Sequence, residues 1–221
     1  MRKMQRRKVN TKTDKLGLGR RKASQRKDVS IKSFAKTNFT RILSIDPSSH
    51  SLGWAVIEAG VKQPTLIKCG KIKFPKSSEM HIKFQSINDG LTKICEEYKP
   101  SECVIEQSVY IQNFQTSRII SYIIGYCWGV AQGSCSKVID INPMIWKRGI
   151  GYKNISKQDK EYLLTEASRK KERKDRVRDI VTGYFEMTEE DFDDDDIVDA
   201  IGIGLWYYLM LSANGTRTVQ R

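Results

Sequence analysis

Four carboxylates stand out by their places in the chain. Asp46 closes the apolar run Ile42-Leu43-Ser44-Ile45, and Glu106 closes Cys103-Val104-Ile105. Asp196 and Asp199 are three residues apart, a spacing that sets both on one face of a helix. A carboxylate at the end of a buried strand is costly unless positive charge offsets it. Three segments that each bring such groups to the edge of a core imply a shared cation. Oxygen donors suit Mg²⁺, with Mn²⁺ as a substitute, and no cluster of His or Cys competes for a softer metal. Two such ions can activate water and stabilise a leaving oxygen in phosphodiester cleavage.

Each group also has a plainer reading. Asp46 precedes Pro47 and suits a turn. Glu106 can cap or pair with a nearby base. Asp196 ends the acidic stretch 189–196, which suits a solvated helix start favoured by the helix dipole. Asp199 is harder to explain that way, because it directly precedes the apolar stretch Ala200–Trp206.

Hydrophobic patterning supplies the elements that must position these groups. Residues 42–45, 51–58 and 66–74 read as three strands joined by short turns, an antiparallel meander. Residues 76–98 read as a helix with Met80, Phe84, Ile87, Leu91 and Ile94 on one stripe, ended by Pro100. A buried strand at 103–106 follows, then a helix at 113–132 that is apolar on more than one side. Next come a strand at 137–141 and a short helix at 143–148. Ser156 caps a long polar helix expected to run to about Arg178. Thr188 caps a last one running to about Leu211. A meander followed by alternating helices and strands predicts an α/β fold, a mixed five-stranded sheet flanked by helices.

The 221 residues suffice for one well-buried domain plus an appendage. The net charge of +13 lies wholly within residues 1–41, where 15 Lys or Arg face only Asp14 and Asp28. Residues 1–40 are too polar to bury a core, which predicts a disordered basic arm. Such an arm is either a solubilising tail or a nucleic-acid contact that releases counterions from phosphates. A mitochondrial presequence fits poorly, because the arm lacks apolar residues for an amphipathic helix. The domain itself is expected over 41–213, with a short tail at 214–221. No apolar run is read as reaching the ~20 residues of a membrane helix, Ile119–Val130 being the longest candidate, so no membrane partner is expected. Five cysteines without C-x-x-C spacing argue against structural zinc and against a secreted disulfide framework. A reducing compartment follows, such as a bacterial or phage-infected host cytoplasm.

In order and setting, these segments resemble the RuvC family of Holliday-junction resolvases, which have an RNase H-like fold. Ile42 to Ser49 and then Gly53-Trp54-Ala55-Val56-Ile57 resemble the family's first motif, although Ser48 stands where the family has Gly. Val104-Ile105-Glu106-Gln107 resembles the second. Asn113 with the helix ending Gly129-Val130-Ala131 is similar to the next segment. Asp196-Ile197-Val198-Asp199-Ala200-Ile201 resembles the closing one. The likeness covers about residues 41–210 and looks like a phage member, given the basic arm and the long 169–178 segment.

The resemblance implies a crossover-junction endonuclease that cuts four-way DNA symmetrically and leaves 5′-phosphate ends. It implies two metal ions held by Asp46, Glu106, Asp196 and Asp199. Two strands to cut symmetrically call for a homodimer, and the apolar helix at 113–132 is its expected surface, although such a helix also fits the core of one monomer. It also implies that Lys147 and Lys157 hold the scissile phosphate and offset developing charge, although each also fits a helix-end surface lysine. The family's aromatic wedge falls at Val109, with Tyr110 beside it as a substitute. Tyr110, Arg148, Lys153, Arg169, Lys170 and Lys171 are the expected DNA contacts. Three alternatives stay open: a less selective branch or flap nuclease, a non-catalytic junction binder, and an actin-like nucleotide-binding ATPase. The last would need Gly-rich phosphate loops, which are not seen.

Overall fold

The computed structural model describes residues 40–60, 62–75, 79–108, 113–186, 188 and 194–218, which fall within one compact unit. The basic arm, Val109 and Tyr110 lie outside the described residues. Three strands rich in aliphatic residues come first: β1 (Thr40–Pro47), β2 (Ser51–Ala59) and β3 (Pro64–Lys73). They form the expected antiparallel meander, because the turn after β1 is short. Ser48 closes it, its backbone N–H and its hydroxyl both donating to the Ser51 carbonyl at 2.9 Å. Then follow α1 (Met80–Tyr98), β4 (Glu102–Glu106), α2 (Phe114–Gln132) and β5 (Lys137–Ile141). Each strand reached through a crossover helix pairs in parallel, so the sheet order is β3-β2-β1-β4-β5. This is the predicted mixed sheet.

Alternation along the strands divides the core in two. Leu43, Ile45, Leu52, Val56, Cys103 and Ile105 face α1 and α2, where they meet Ile87, Leu91, Ile123 and Cys127. Ile42, Ala55, Ile57 and Val104 face the other way. That second face is covered by α3 (Pro143–Gly149), α5 (Glu166–Thr182) and α6 (Asp195–Thr218), while the short α4 (Lys157–Tyr162) precedes α5. All five cysteines are buried, as small core residues outside any disulfide.

Several boundaries differ from the sequence reading. Helix α1 begins at Met80, with Glu79 extended at its N-cap, not at residue 76. The long polar helix is two helices. Ser156 does cap the first, with Asp159 completing a capping box. A second capping box between Thr165 and Ser168 restarts the chain as α5, and Leu163 and Leu164 form the break. The last helix starts at Asp195 rather than at Thr188 and continues to Thr218 rather than ending near Leu211. The side chain of Asp194 accepts from the Asp196 N–H at 3.1 Å, so Asp194 caps it. Helix α2 buries Ile123, Cys127 and Ala131, while Tyr122 is half exposed. One helix, Asp195–Asn214, does have the length and composition to cross a membrane, contrary to the count above. Its apolar residues Ala200, Ile201, Ile203, Leu205 and Tyr207 are buried in the core on the sheet.

Candidate active site

The strand register assembles a row of functional side chains. Asp46 pairs with Gly53, and Gly53 pairs with Lys71. On the other side Ile45 pairs with Ile105, so Asp46 and Glu106 end adjacent parallel strands. Residues opposed across a sheet share a face. Lys71, Gly53, Asp46 and Glu106 therefore point toward the side covered by α6.

Gly53 is the gap through which α6 reaches the sheet. A Cβ at this position would lie 2.1 Å from the backbone oxygen of Asp196, so no other residue fits without moving the helix start. Asp196 is thereby seated over β2. Ser51 Oγ donates to its Oδ2 at 2.7 Å, and Lys71 Nζ stands 2.6 Å from the same oxygen. Lys71 also holds Asp194 at 2.9 Å. Asp199 follows one turn later, and Lys147 Nζ lies 3.6 Å from its Oδ2.

Helix α3 contributes two consecutive residues. Asn142 caps it by accepting from the Met144 N–H, and Pro143 opens its first turn. Trp146 is fully buried, and its Nε1–H donates to Glu106 Oε2 at 2.6 Å. The indole lies against Gly202 of α6, where a Cβ would come within 2.7 Å of the ring. Lys147 then stands 4.9 Å from the Trp146 ring centroid, over its face.

The electrostatics reflect crowding of like charge. Burial, and then the charges of Glu106, Asp199 and Asp196, push the Asp46 carboxyl well above its usual range, with Lys147 opposing. Burial pushes Glu106 up to about 7, against the Trp146 hydrogen bond and Lys147, with Asp199 adding to the rise. Burial likewise raises Asp199 despite Lys147. Asp196 goes the other way: burial would raise it, but Lys71 and Ser51 outweigh that and hold it low. Lys71 is itself raised, because its contacts to Asp196 and Asp194 outweigh its partial burial. Raised and lowered carboxyls side by side single this cluster out as the candidate site.

Among the described residues, no three His, Cys, Asp or Glu side chains close into a metal cage. Mg²⁺ is usually held by one or two carboxylates with waters and substrate phosphate, not by an all-protein shell. The donor set is hard oxygen throughout, so the residues fit such an ion.

Of the predicted site residues, Asp46, Glu106, Asp196, Asp199 and Lys147 come together. Lys157, exposed at the start of α4, has no described contact with them. Arg148, Lys153, Lys170 and Lys171 are exposed, and Arg169 Nε donates to the Leu163 carbonyl at 2.9 Å. Lys170 and Lys171 line a cavity of about 390 Å³ with Lys174 and Arg178, both of which pair with Asp195. Sequence reasoning missed Lys71, Ser51 and Trp146 as partners of the carboxylates, and the reason for Gly53. Gly53 stands within the first motif, and Trp146 directly precedes Lys147. Lys71 carried no signal short of the β2–β3 register.

Comparison with known proteins identifies the family and the fold. A family model described as crossover junction endodeoxyribonuclease RuvC matches residues 42–206. Curated relatives of that name include one from Rickettsia akari, 31% identical over 96 residues, 43% of this chain and 59% of the relative. Another, from Rickettsia bellii (strain OSU 85-389), is 36% identical over 84 residues, 38% of this chain and 54% of the relative. The chain thus spans little more than half the length of the curated relatives it matches. Thermus thermophilus RuvC is similar in structure, with a TM-score of 0.61 at 15% identity, covering 79% of this chain and 97% of that one. The T. thermophilus protein in complex with a Holliday junction substrate gives 0.58 at 16%, covering 79% and 96%. The yeast mitochondrial Holliday junction resolvase gives 0.55 at 11%, covering 82% and 83%. At such identities the likeness speaks for the fold.

Proposed function

The chain belongs to the crossover junction endodeoxyribonuclease RuvC family, and from that premise we propose that it is a structure-selective endonuclease cutting four-way DNA junctions. The observation that carries the reading is the gathering of Asp46, Glu106 and Asp199, each carboxyl pushed up by burial and by acidic neighbours. A site that concentrates negative charge at such cost is suited to divalent ions. Asp46, Glu106, Asp196 and Asp199 would hold one or two Mg²⁺, with Mn²⁺ substituting. When bound, the metal supplies an acidified water and positive charge for the leaving oxygen.

The chain's own groups do the positioning. Trp146 fixes one oxygen of Glu106 and leaves the other to the site. Ser51 and Lys71 hold Asp196 at the helix start. Lys147, at the edge of the cluster, takes the scissile phosphate and offsets charge in the transition state, with Lys157 as a second candidate. Hydrolysis of one P–O bond in each of two strands leaves 5′-phosphate and 3′-hydroxyl ends.

Symmetric cutting calls for a C₂ dimer with two sites. The open face of α2 favours this arrangement: Tyr122 is half exposed, and beside it a Cβ at Gly125 or Gly129 would meet no heavy atom within 4 Å among the described residues. Residues 41–213 are the nuclease domain in this reading, with the arm 1–40 adding phosphate contacts. Tyr110, Arg148, Lys153, Arg169, Lys170 and Lys171 remain candidates for DNA contact. Five buried cysteines outside any disulfide suit a reducing compartment such as a bacterial or phage-infected host cytoplasm.

The test compares Mg²⁺-dependent cutting of synthetic four-way junctions, flaps and linear duplex. Junctions should be nicked symmetrically and duplex spared. Asp46→Asn should stop cutting while junction binding persists. Equal cutting of flaps would demote the protein to a general branch nuclease, and binding without cutting to a junction binder.

A further inference from the structure

At the Lys71 end of the acidic row the surface opens into a cavity of about 630 Å³. It lies between the β1–β2 turn, the end of β3 and the facing sides of α1 and α2. Ser51 and Lys71, which grip Asp196, are also part of its wall, so the cavity borders the carboxylate cluster. Its described lining contains no Asp or Glu. The rim carries Lys71, Lys73, Lys83 and His50, and the floor includes Phe74 and Ile119. Lys83 Nζ sits 5.3 Å from the Phe74 ring centroid and donates to the Ser49 carbonyl at 3.0 Å. Lys73 is exposed and makes no ion pair among the described residues.

A cationic rim over an apolar floor matches one chemistry closely, that of a nucleotide turned out of its stack. The base lies against hydrocarbon and the flanking phosphates meet ammonium groups. The volume is in the range of small-ligand pockets and is open on one side, as a strand passing through requires. We propose that this cavity receives a nucleotide adjacent to the scissile phosphate, and that Lys73 and Lys83 bind the phosphates flanking it. The inference rests on the nuclease reading for which strand enters. It places the DNA path on the β3 and α1 side of the acidic row, opposite the α5 lysines expected from sequence.

The test measures binding in EDTA, so that it does not depend on cutting. Junctions carry either a normal nucleotide or an abasic site beside the position cut by the wild-type chain with Mg²⁺. If the wild type does not cut, each position around the exchange point is scanned. Loss of a stacked base should weaken wild-type binding about 5- to 150-fold. Thr116→Trp, which fills the cavity from α2, should weaken binding of the intact junction by a similar factor and be indifferent to the abasic site. As a second variant, Lys73→Gln with Lys83→Gln should lower the slope of log affinity against log salt by about 1.4 to 1.8. Circular dichroism and Tm confirm that each variant is folded. The proposal fails if the abasic penalty is absent in the wild type, if it persists in full in Thr116→Trp, or if the lysine double variant keeps the wild-type slope. A chain that showed the penalty but never cut would sink the nuclease reading and leave the cavity standing. A chain that cut without the penalty would do the reverse.

Discussion

Replacing Trp146 with Phe removes a single N–H from the candidate site while keeping most of the aromatic volume. That N–H donates to Glu106 at 2.6 Å from a fully buried ring. A hydrogen bond to a charged partner contributes about 1.5–3 kcal/mol, which corresponds to roughly 10- to 150-fold in any equilibrium that needs Glu106 ionised and oriented. Loss of an outer partner of a metal ligand typically costs about 10- to 100-fold in metal affinity, so the two scales agree. The smaller ring also leaves a void of roughly 40 Å³ beside Gly202, which costs about 1 kcal/mol of stability at ~24 cal/mol per Å³. Isothermal titration of the folded variant with Mn²⁺ reads the affinity directly. Ile150→Val serves as the control, since Ile150 is buried in the same cluster and makes no bond to a carboxylate. The variant should bind Mn²⁺ at least tenfold more weakly, while the control loses stability and keeps its affinity. If Trp146→Phe lowers Tm and leaves Mn²⁺ binding at the wild-type value, Trp146 is a packing residue and does not position Glu106.

Gly53→Ala should displace the start of α6, because the new Cβ meets the backbone of Asp196 and not a movable side-chain tip. A loss of about 1–3 kcal/mol in denaturant unfolding and near-complete loss of cutting are expected, and wild-type activity would show that the helix start is free to move. Lys71→Met should cost about 1–2 kcal/mol in EDTA by leaving Asp194 and Asp196 facing each other, with Mg²⁺ restoring much of the Tm. Stability without divalent ions should also depend on pH. Glu106 moves from 4.5 to about 7 on folding, so its contribution is complete below about 4.5 and is lost as pH rises through 7. That is on the order of 3 kcal/mol, with the raised Asp46 and Asp199 acting in the same direction. Tm scans from pH 5 to 8.5 in EDTA should fall, and in Mg²⁺ the fall should be smaller; a flat profile in EDTA would mean that the carboxylates are not crowded.

The chain by itself determined where the four carboxylates stand relative to their elements, because strand ends and helix turns are local properties. Asp46 and Glu106 could be read at the ends of apolar runs, and Asp199 one turn inside the last helix. The five strands, the meander and the two parallel additions were legible for the same reason: alternation and connection length restrict the pairing. Local signals also misled. An unbroken polar pattern hid the second capping box at Thr165, and Thr188 drew the last helix start away from Asp194.

Only the tertiary structure decided what surrounds the carboxylates. Ser51 reaches Asp196 across 145 residues of chain, and Trp146 reaches Glu106 across 40. Lys71 enters the row solely through cross-strand register, and Gly53 matters because α6 descends onto β2 there. Periodicity along a chain carries the direction of a side chain from its own backbone. Which group from a distant segment arrives opposite it is settled by close packing and by the need to offset buried charge.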